Sequence, residues 1–159
     1  MYCFWRIYAI LYVVMQVVEL MKTHVVKTTP DATLGEAVDL MDLYQVSSLP
    51  VVDTEGVLCG MLSESDVMRA LLDSASPLKA FSEAQVTQAL RAGDARLHRI
   101  ADYMTQPAIH ISEHADIREA ARILLTCGLK RLPVTDEHNR VVGALNRIDV
   151  VQAVFEDTL

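Results

Sequence analysis

Ser47–Leu71 reads SSLPVVDTEGVLCGMLSESDVMRAL, and 83 positions later Lys130–Val154 reads KRLPVTDEHNRVVGALNRIDVVQAV. Both stretches run through a Leu-Pro-Val start, an Asp-led polar turn, an apolar run carrying one glycine, and an aspartate placed for the first turn of a helix. The correspondence extends outward. Val18–Leu71 lies over Ala101–Val154 without a gap, and Met21, Ala32, Glu36, Ala37, Leu49, Pro50, Val51, Asp53, Gly60, Leu62, Asp66, Val67 and Ala70 each meet an identical residue. Repeats of this length usually bury a face against each other, which predicts a pseudo-twofold fold.

Each copy reads strand, helix, strand, strand, helix. In the first, Val25–Thr28 is a short β-branched run that ends at Pro30, a residue with no ladder donor. Thr33 and Glu36 have capping-box spacing, and Leu34, Val38, Met41 and Tyr44 or Gln45 follow at helical intervals. The second copy offers Asp116 and Glu119, then Ile117, Ala121 and Leu124, with Gly128 suited to a left-handed helix end. Two hairpins are expected: Leu49–Val52 and Val57–Leu62 around Asp53-Thr54-Glu55-Gly56, and Leu132–Thr135 and Arg140–Leu145 around Asp136-Glu137-His138-Asn139. Ser63 or Ser65, and Asn146, then cap closing helices through Leu72 and about Phe155.

The organisation expected is an apolar segment over residues 1–16, a first repeat over 17–72, a connecting segment over 73–99 and a second repeat over 100–157. The connecting segment reads as helical from Ser82, Gln85, Ala84, Val86, Ala89 and Leu90, with Gly93 stopping the turn. The fold class is α/β in the broad α+β sense, two β-α-β-β-α repeats packed through their sheets.

With 159 residues, 52% of them hydrophobic, the chain can bury a core. A formal charge of -7, from 21 acidic and 14 basic residues, argues against nucleic acid as a partner, because phosphate-backbone affinity needs clustered Lys and Arg. Cys3, Cys59 and Cys127 form neither a disulfide framework nor a thiolate zinc motif, which fits a reducing cytoplasm. The opening MYCFWRIYAILYVVMQVV carries a single charge, Arg6. A spanning helix needs roughly 20 apolar residues, so this stretch is marginal as an anchor. A packed helix or strand, an interfacial anchor, and a start misassigned upstream of Met15 or Met21 stay open beside it, with membrane association the alternative to a cytoplasmic location.

No Gly-rich phosphate loop, GxSxG, HExxH or CxxC is present, so enzymatic chemistry and a metal centre are not expected. His110 and His114 straddle a strand end and a turn rather than a helix face. The better candidate is the strand-to-helix junction Gly60-Met61-Leu62-Ser63-Glu64-Ser65-Asp66 and its echo Gly143-Ala144-Leu145-Asn146-Arg147-Ile148-Asp149. A helix start presents unpaired N–H groups to an anion. The two oxygens of a first-turn carboxylate match the donors of a ribose diol, and the Ser63 and Ser65 hydroxyls match phosphate oxygens. The same residues also make an ordinary helix cap with no ligand at all. Just before the shared Leu-Pro, Ser47-Ser48 in one copy faces Lys130-Arg131 in the other. The basic pair is either a solvated strand end or a phosphate ligand, Arg131 being able to make a forked contact.

These motifs, LPVVD and LPVTD, the two Gly-led junctions, and Met21 and Met104 opening each copy, resemble the CBS-domain family in its tandem form, the Bateman module, over about Val17 to Phe155. The resemblance implies two clefts related by a pseudo-dyad and a disc-like dimer of modules. It also implies adenosine compounds as ligands, with the junction aspartate on ribose. On that basis one cleft uses Ser63, Ser65, Asp66, Lys130 and Arg131, and the other uses Asn146, Asp149, Ser47 and Ser48. The second departs from the family pattern, with Asn in place of Ser or Thr and no basic pair. Lys27 and His110 stand where the family often has Thr, so the adenine contacts do not transfer.

The expected function is a non-catalytic regulatory module that senses AMP, ADP, ATP or S-adenosylmethionine, with no obligatory cofactor, and acts on an unidentified regulated protein or through a homodimer. The alternative is a dimerising scaffold with empty clefts.

Overall fold

The computed structural model describes residues 15–73 and 93–156. The expectations for the first 14 residues and for the connecting helix before Gly93 lie outside the described residues.

Alternation and turn chemistry produce the two hairpins within a residue of their expected ends. In the first, β1 (Ser48–Val52) pairs antiparallel with β2 (Leu58–Ser63), Ser48 opposite Ser63 and Leu49 opposite Leu62. The Asp53 carboxylate closes the turn by accepting from Glu55 and Val57 N–H, both at 2.9 Å, while Gly56 sits at φ +84°. The strand expected at Val25–Thr28 shrinks to one bridge, Thr28 to Val51, and that bridge is parallel. In the second copy β3 (Ile111–Ser112) pairs parallel with β4 (Arg131–Thr135), which pairs antiparallel with β5 (Val141–Asn146). Asp136 closes that turn through His138 and Arg140 N–H.

The helices follow their caps. α1 (Val17–Leu20) is a single turn, α2 spans Leu34–Tyr44, α3 Glu64–Asp73, α4 Ile117–Thr126 and α5 Arg147–Glu156. Thr33 and Glu36 form the reciprocal capping box expected of them. Asp116 caps α4 alone, accepting from Arg118 N–H at 2.8 Å. Gly128 is left-handed at φ +65°, and its repeat counterpart Gln45 adopts the same conformation at φ 52°, so α2 ends at Tyr44, the earlier of the two ends its spacing allows. Gly93, where the sequence reading stops the connecting helix, begins a 3-10 helix, Gly93–Leu97.

The described residues fall into two compact units, and these are offset from the repeats. One holds Val26–Ala108; the other joins the residues up to Val25 with those from Ile109 onward. In the second of these, Val17 is fully buried with Ile111, Leu124, Leu132, Val134 and Leu145. In the first, its counterpart Ile100 is fully buried with Leu34, Met41, Leu49, Val51 and Leu62. The backbone bonds repeat in step: Val17 N–H to Ala115 C=O at 2.9 Å matches Ile100 N–H to Ala32 C=O at 2.9 Å. Each unit is therefore the body of one copy completed by the opening segment of the other.

The shared glycines make that completion possible. Lys22 bridges to Ala144 and Thr105 to Met61, which lays each opening segment beside a glycine-bearing strand. A Cβ on Gly60 would stand 2.8 Å from Met104 Sδ and 3.0 Å from Thr105 C=O; on Gly143 it would stand 2.5 Å from Met21 Sδ. Glycine at both positions lets the two backbones approach closely, with a methionine side chain lying over each.

Candidate functional site

Each hairpin runs straight into a helix, and that continuity places the candidate carboxylates. In the unit holding Val26–Ala108, β2 ends at Ser63 and α3 begins at Glu64. Ser63 N–H and its hydroxyl donate to Asp66 Oδ2 at 2.8 and 2.6 Å, and Asp66 N–H points back to the Ser63 hydroxyl at 3.4 Å. Asp66 Oδ1 accepts from Arg69 at 2.7 Å and from the Thr105 hydroxyl at a long 3.5 Å. The carboxylate is 2% exposed, and its acceptors are satisfied from within the unit. Ser48 lies opposite Ser63 in the sheet, Ser47 C=O accepts from Glu64 N–H at 3.1 Å, and Ser65 stands exposed in the first turn.

The other unit builds the same junction from different side chains. Lys130 C=O accepts from Arg147 N–H at 2.9 Å, the counterpart of the Ser47 bond. Arg131 lies opposite Asn146, and its Nε donates to Asn146 Oδ1 at 2.9 Å. The amide of Asn146 donates in turn to Asp149 Oδ2 at 2.7 Å, and Lys22 Nζ meets Asp149 Oδ1 at 3.0 Å. Burial draws the Arg131 guanidinium below its ordinary value, against the pull of Asp149. Lys130 is exposed.

Within each unit, then, the structure brings Ser47 and Ser48 to Ser63 and Asp66, and Lys130 and Arg131 to Asn146 and Asp149. The Ser63 hydroxyl, for which the sequence offers both a phosphate and an ordinary helix cap, donates to Asp66 in the manner of a cap. Three residues in these networks escaped the sequence reading: Lys22, Arg69 and Thr105. The signal for them is the repeat itself, in which Lys22 answers Thr105 and Arg69 answers Gln152. A groove of about 680 Å³ runs between α2 and α3, lined by Val38, Met41, Ser47, Val67 and Met68 among others, and Asp66 does not line it. Among the described residues no group of three His, Cys, Asp or Glu side chains is arranged to hold a metal ion, and no helix is long and apolar enough to cross a membrane.

The family model for the CBS domain matches the chain twice, over residues 17–73 and 100–156. Among curated relatives, inosine-5'-monophosphate dehydrogenase of Methanocaldococcus jannaschii is 29% identical over 128 residues, which is 80% of this chain and 21% of that protein. The chloroplastic CBS domain-containing protein CBSX2 of Arabidopsis thaliana is 29% identical over 146 residues, 84% of this chain and 59% of that protein. The chain thus spans between a fifth and three fifths of the length of these relatives. The crystal structure of CBSX2 in complex with AMP superposes with a TM-score of 0.70 at 24% identity, covering 91% of this chain and 98% of that one. The CBS domain pair of protein MJ0100, in complex with 5-methylthioadenosine and S-adenosyl-L-methionine, gives 0.66 at 20% identity, with 92% and 99% covered.

Proposed function

Because the chain belongs to the CBS-domain family, we propose that it is a non-catalytic regulatory module that binds an adenosine-type ligand at its strand-to-helix junctions and passes occupancy on as a change of packing or association. The observation that carries this reading is the buried aspartate at the start of α3, held in a fixed orientation by Ser63 from the preceding strand. An acceptor held rigid before the ligand arrives loses little entropy on binding. A ribose diol docking on Asp66 takes over the long Thr105 contact, the weakest of those on the carboxylate. Lys130 and Arg131 serve the phosphate, an assignment that comes from the family resemblance alone. A ligand of this kind moves an equilibrium only through its differential affinity for the two states.

The test is a calorimetric titration of the full chain with AMP, ADP, ATP and S-adenosylmethionine, beside Asp66→Asn and the 2′-deoxy form of whichever ligand binds. Saturable heat, weakened about tenfold or more by either change, is expected for a carboxylate that reads the diol. Binding indifferent to both would remove Asp66 from the site, and no binding would remove the adenosine reading.

A second reading, the dimerising scaffold, is favoured by one observation. The helices leave large apolar side chains in solvent: Leu43 and Tyr44 on α2, Met68 on α3, Leu125 on α4, Ile148 and Val151 on α5. We propose that a second copy covers them. Sedimentation equilibrium distinguishes the readings, since a dimer unaffected by every ligand supports the scaffold and a ligand-linked change in association supports the sensor.

A further inference from the structure

The two buried aspartates each have one ion-pair partner within 4 Å among the described residues, and the copies draw it from different elements. Asp66 is met by Arg69, three positions along its own helix, at 2.7 Å. On the exchanged segment the neutral Thr105 donates to it, at 3.5 Å. Asp149 is met from the exchanged segment, by Lys22 at 3.0 Å, and the helix position that answers Arg69 is the neutral Gln152. Repeat positions 22 and 105, and 69 and 152, have traded their charge. Burying a carboxylate demands such a partner. The trade meets that demand in both units but leaves only Asp66 with a neutral neighbour on the exchanged segment.

We propose that Lys22 decides which junction accepts ribose, holding Asp149 as a latch so that the Asp66 junction alone takes the ligand; this rests on the adenosine reading above. An ammonium-carboxylate hydrogen bond is about twice as strong as one from a neutral hydroxyl, and a diol competing for Asp149 must displace it. The displaced ammonium stays close. Lys22 is pinned to β5 by two backbone bonds with Ala144, both 2.9 Å, so its head group competes at the high local concentration of a tethered group. At Asp66 the ribose replaces a long, neutral contact and moves no charge off the exchanged segment.

The experiment is the stoichiometry of AMP, ATP and S-adenosylmethionine binding to the full chain by calorimetry. The natural chain is expected to take up a single equivalent, abolished by Asp66→Asn. Lys22→Thr, which installs the residue that copy two already carries at this bridge, gains a second equivalent, and adding Asp149→Asn removes it. Lys22→Met, which keeps the stem and loses the charge, gives the same gain should the threonine variant fold poorly, and Lys22→Arg stays at one. A stoichiometry unchanged in Lys22→Thr and Lys22→Met overturns the latch and leaves the adenosine reading intact. So does a natural chain that already binds two equivalents, one of them lost in Asp149→Asn. No heat from any of the three ligands in any variant discards the adenosine reading and the latch together.

Discussion

Gln45 and Gly128 end corresponding helices in the same left-handed conformation, at φ 52° and 65°. A Cβ disfavours that region by about 1–2 kcal/mol, and glycine escapes the penalty. A Cβ on Gly128 would meet nothing within 4 Å, so Gly128→Ala is expected to cost about 1 kcal/mol in denaturant unfolding through backbone conformation alone. Gln45→Gly should move the other way by about 0.5 kcal/mol, reduced by loss of the bond from its side chain to Asp42 C=O. A second residue effect is electrostatic. The Arg118 side chain, and then its N–H, hold the Asp116 carboxyl down at about 2. A depressed acid stabilises the fold fully above its unfolded value, near 4, and that contribution is lost as pH falls toward 2. Arg118→Gln is expected to raise the carboxyl toward its ordinary value by NMR titration and to start acid unfolding at higher pH. Gly128 was legible because glycine announces a left-handed end; Gln45 was not, since nothing in its chemistry does, and only alignment with Gly128 exposes it.

At the scale of elements, the hairpins and capped helices were readable because their causes are local: alternating apolar residues, a turn-closing aspartate, a cap three residues before its partner. The exchange of opening segments was not, because Lys22 meets Ala144 from more than a hundred residues away and periodicity does not name a distant partner. The expected first strand fails for a related reason: Thr28 is the one residue there to bridge β1, and Pro30 follows it closely. The exchange leaves little room for a side chain at Gly60 and Gly143. Gly60→Ala places a methyl 3.0 Å from a backbone oxygen, which no rotamer change relieves, and should cost about 1–3 kcal/mol by denaturant unfolding. Shortening Met104 to Ala in the same chain is expected to recover only part of that loss, because the Thr105 carbonyl stays where it was.

For the whole molecule, the doubling made the family and the two junctions legible, and the differences between copies carried the information about function. The grouping of side chains around each aspartate was less legible, because it depends on which opening segment completes which body. That is why Arg69, Lys22 and Thr105 entered only with the structure. Saturating ligand should also raise the unfolding temperature, by the mass-action stabilisation that any native-state ligand confers, and this rise should vanish in Asp66→Asn. The most direct measurement of the central claim is amide hydrogen exchange across Gly60–Val67 and Gly143–Val150, with and without saturating S-adenosylmethionine or AMP. Slower exchange centred on the Ser63–Asp66 junction, with the Asn146–Asp149 junction unchanged, is the predicted result. Protection confined to other parts of the chain under saturating ligand would contradict it.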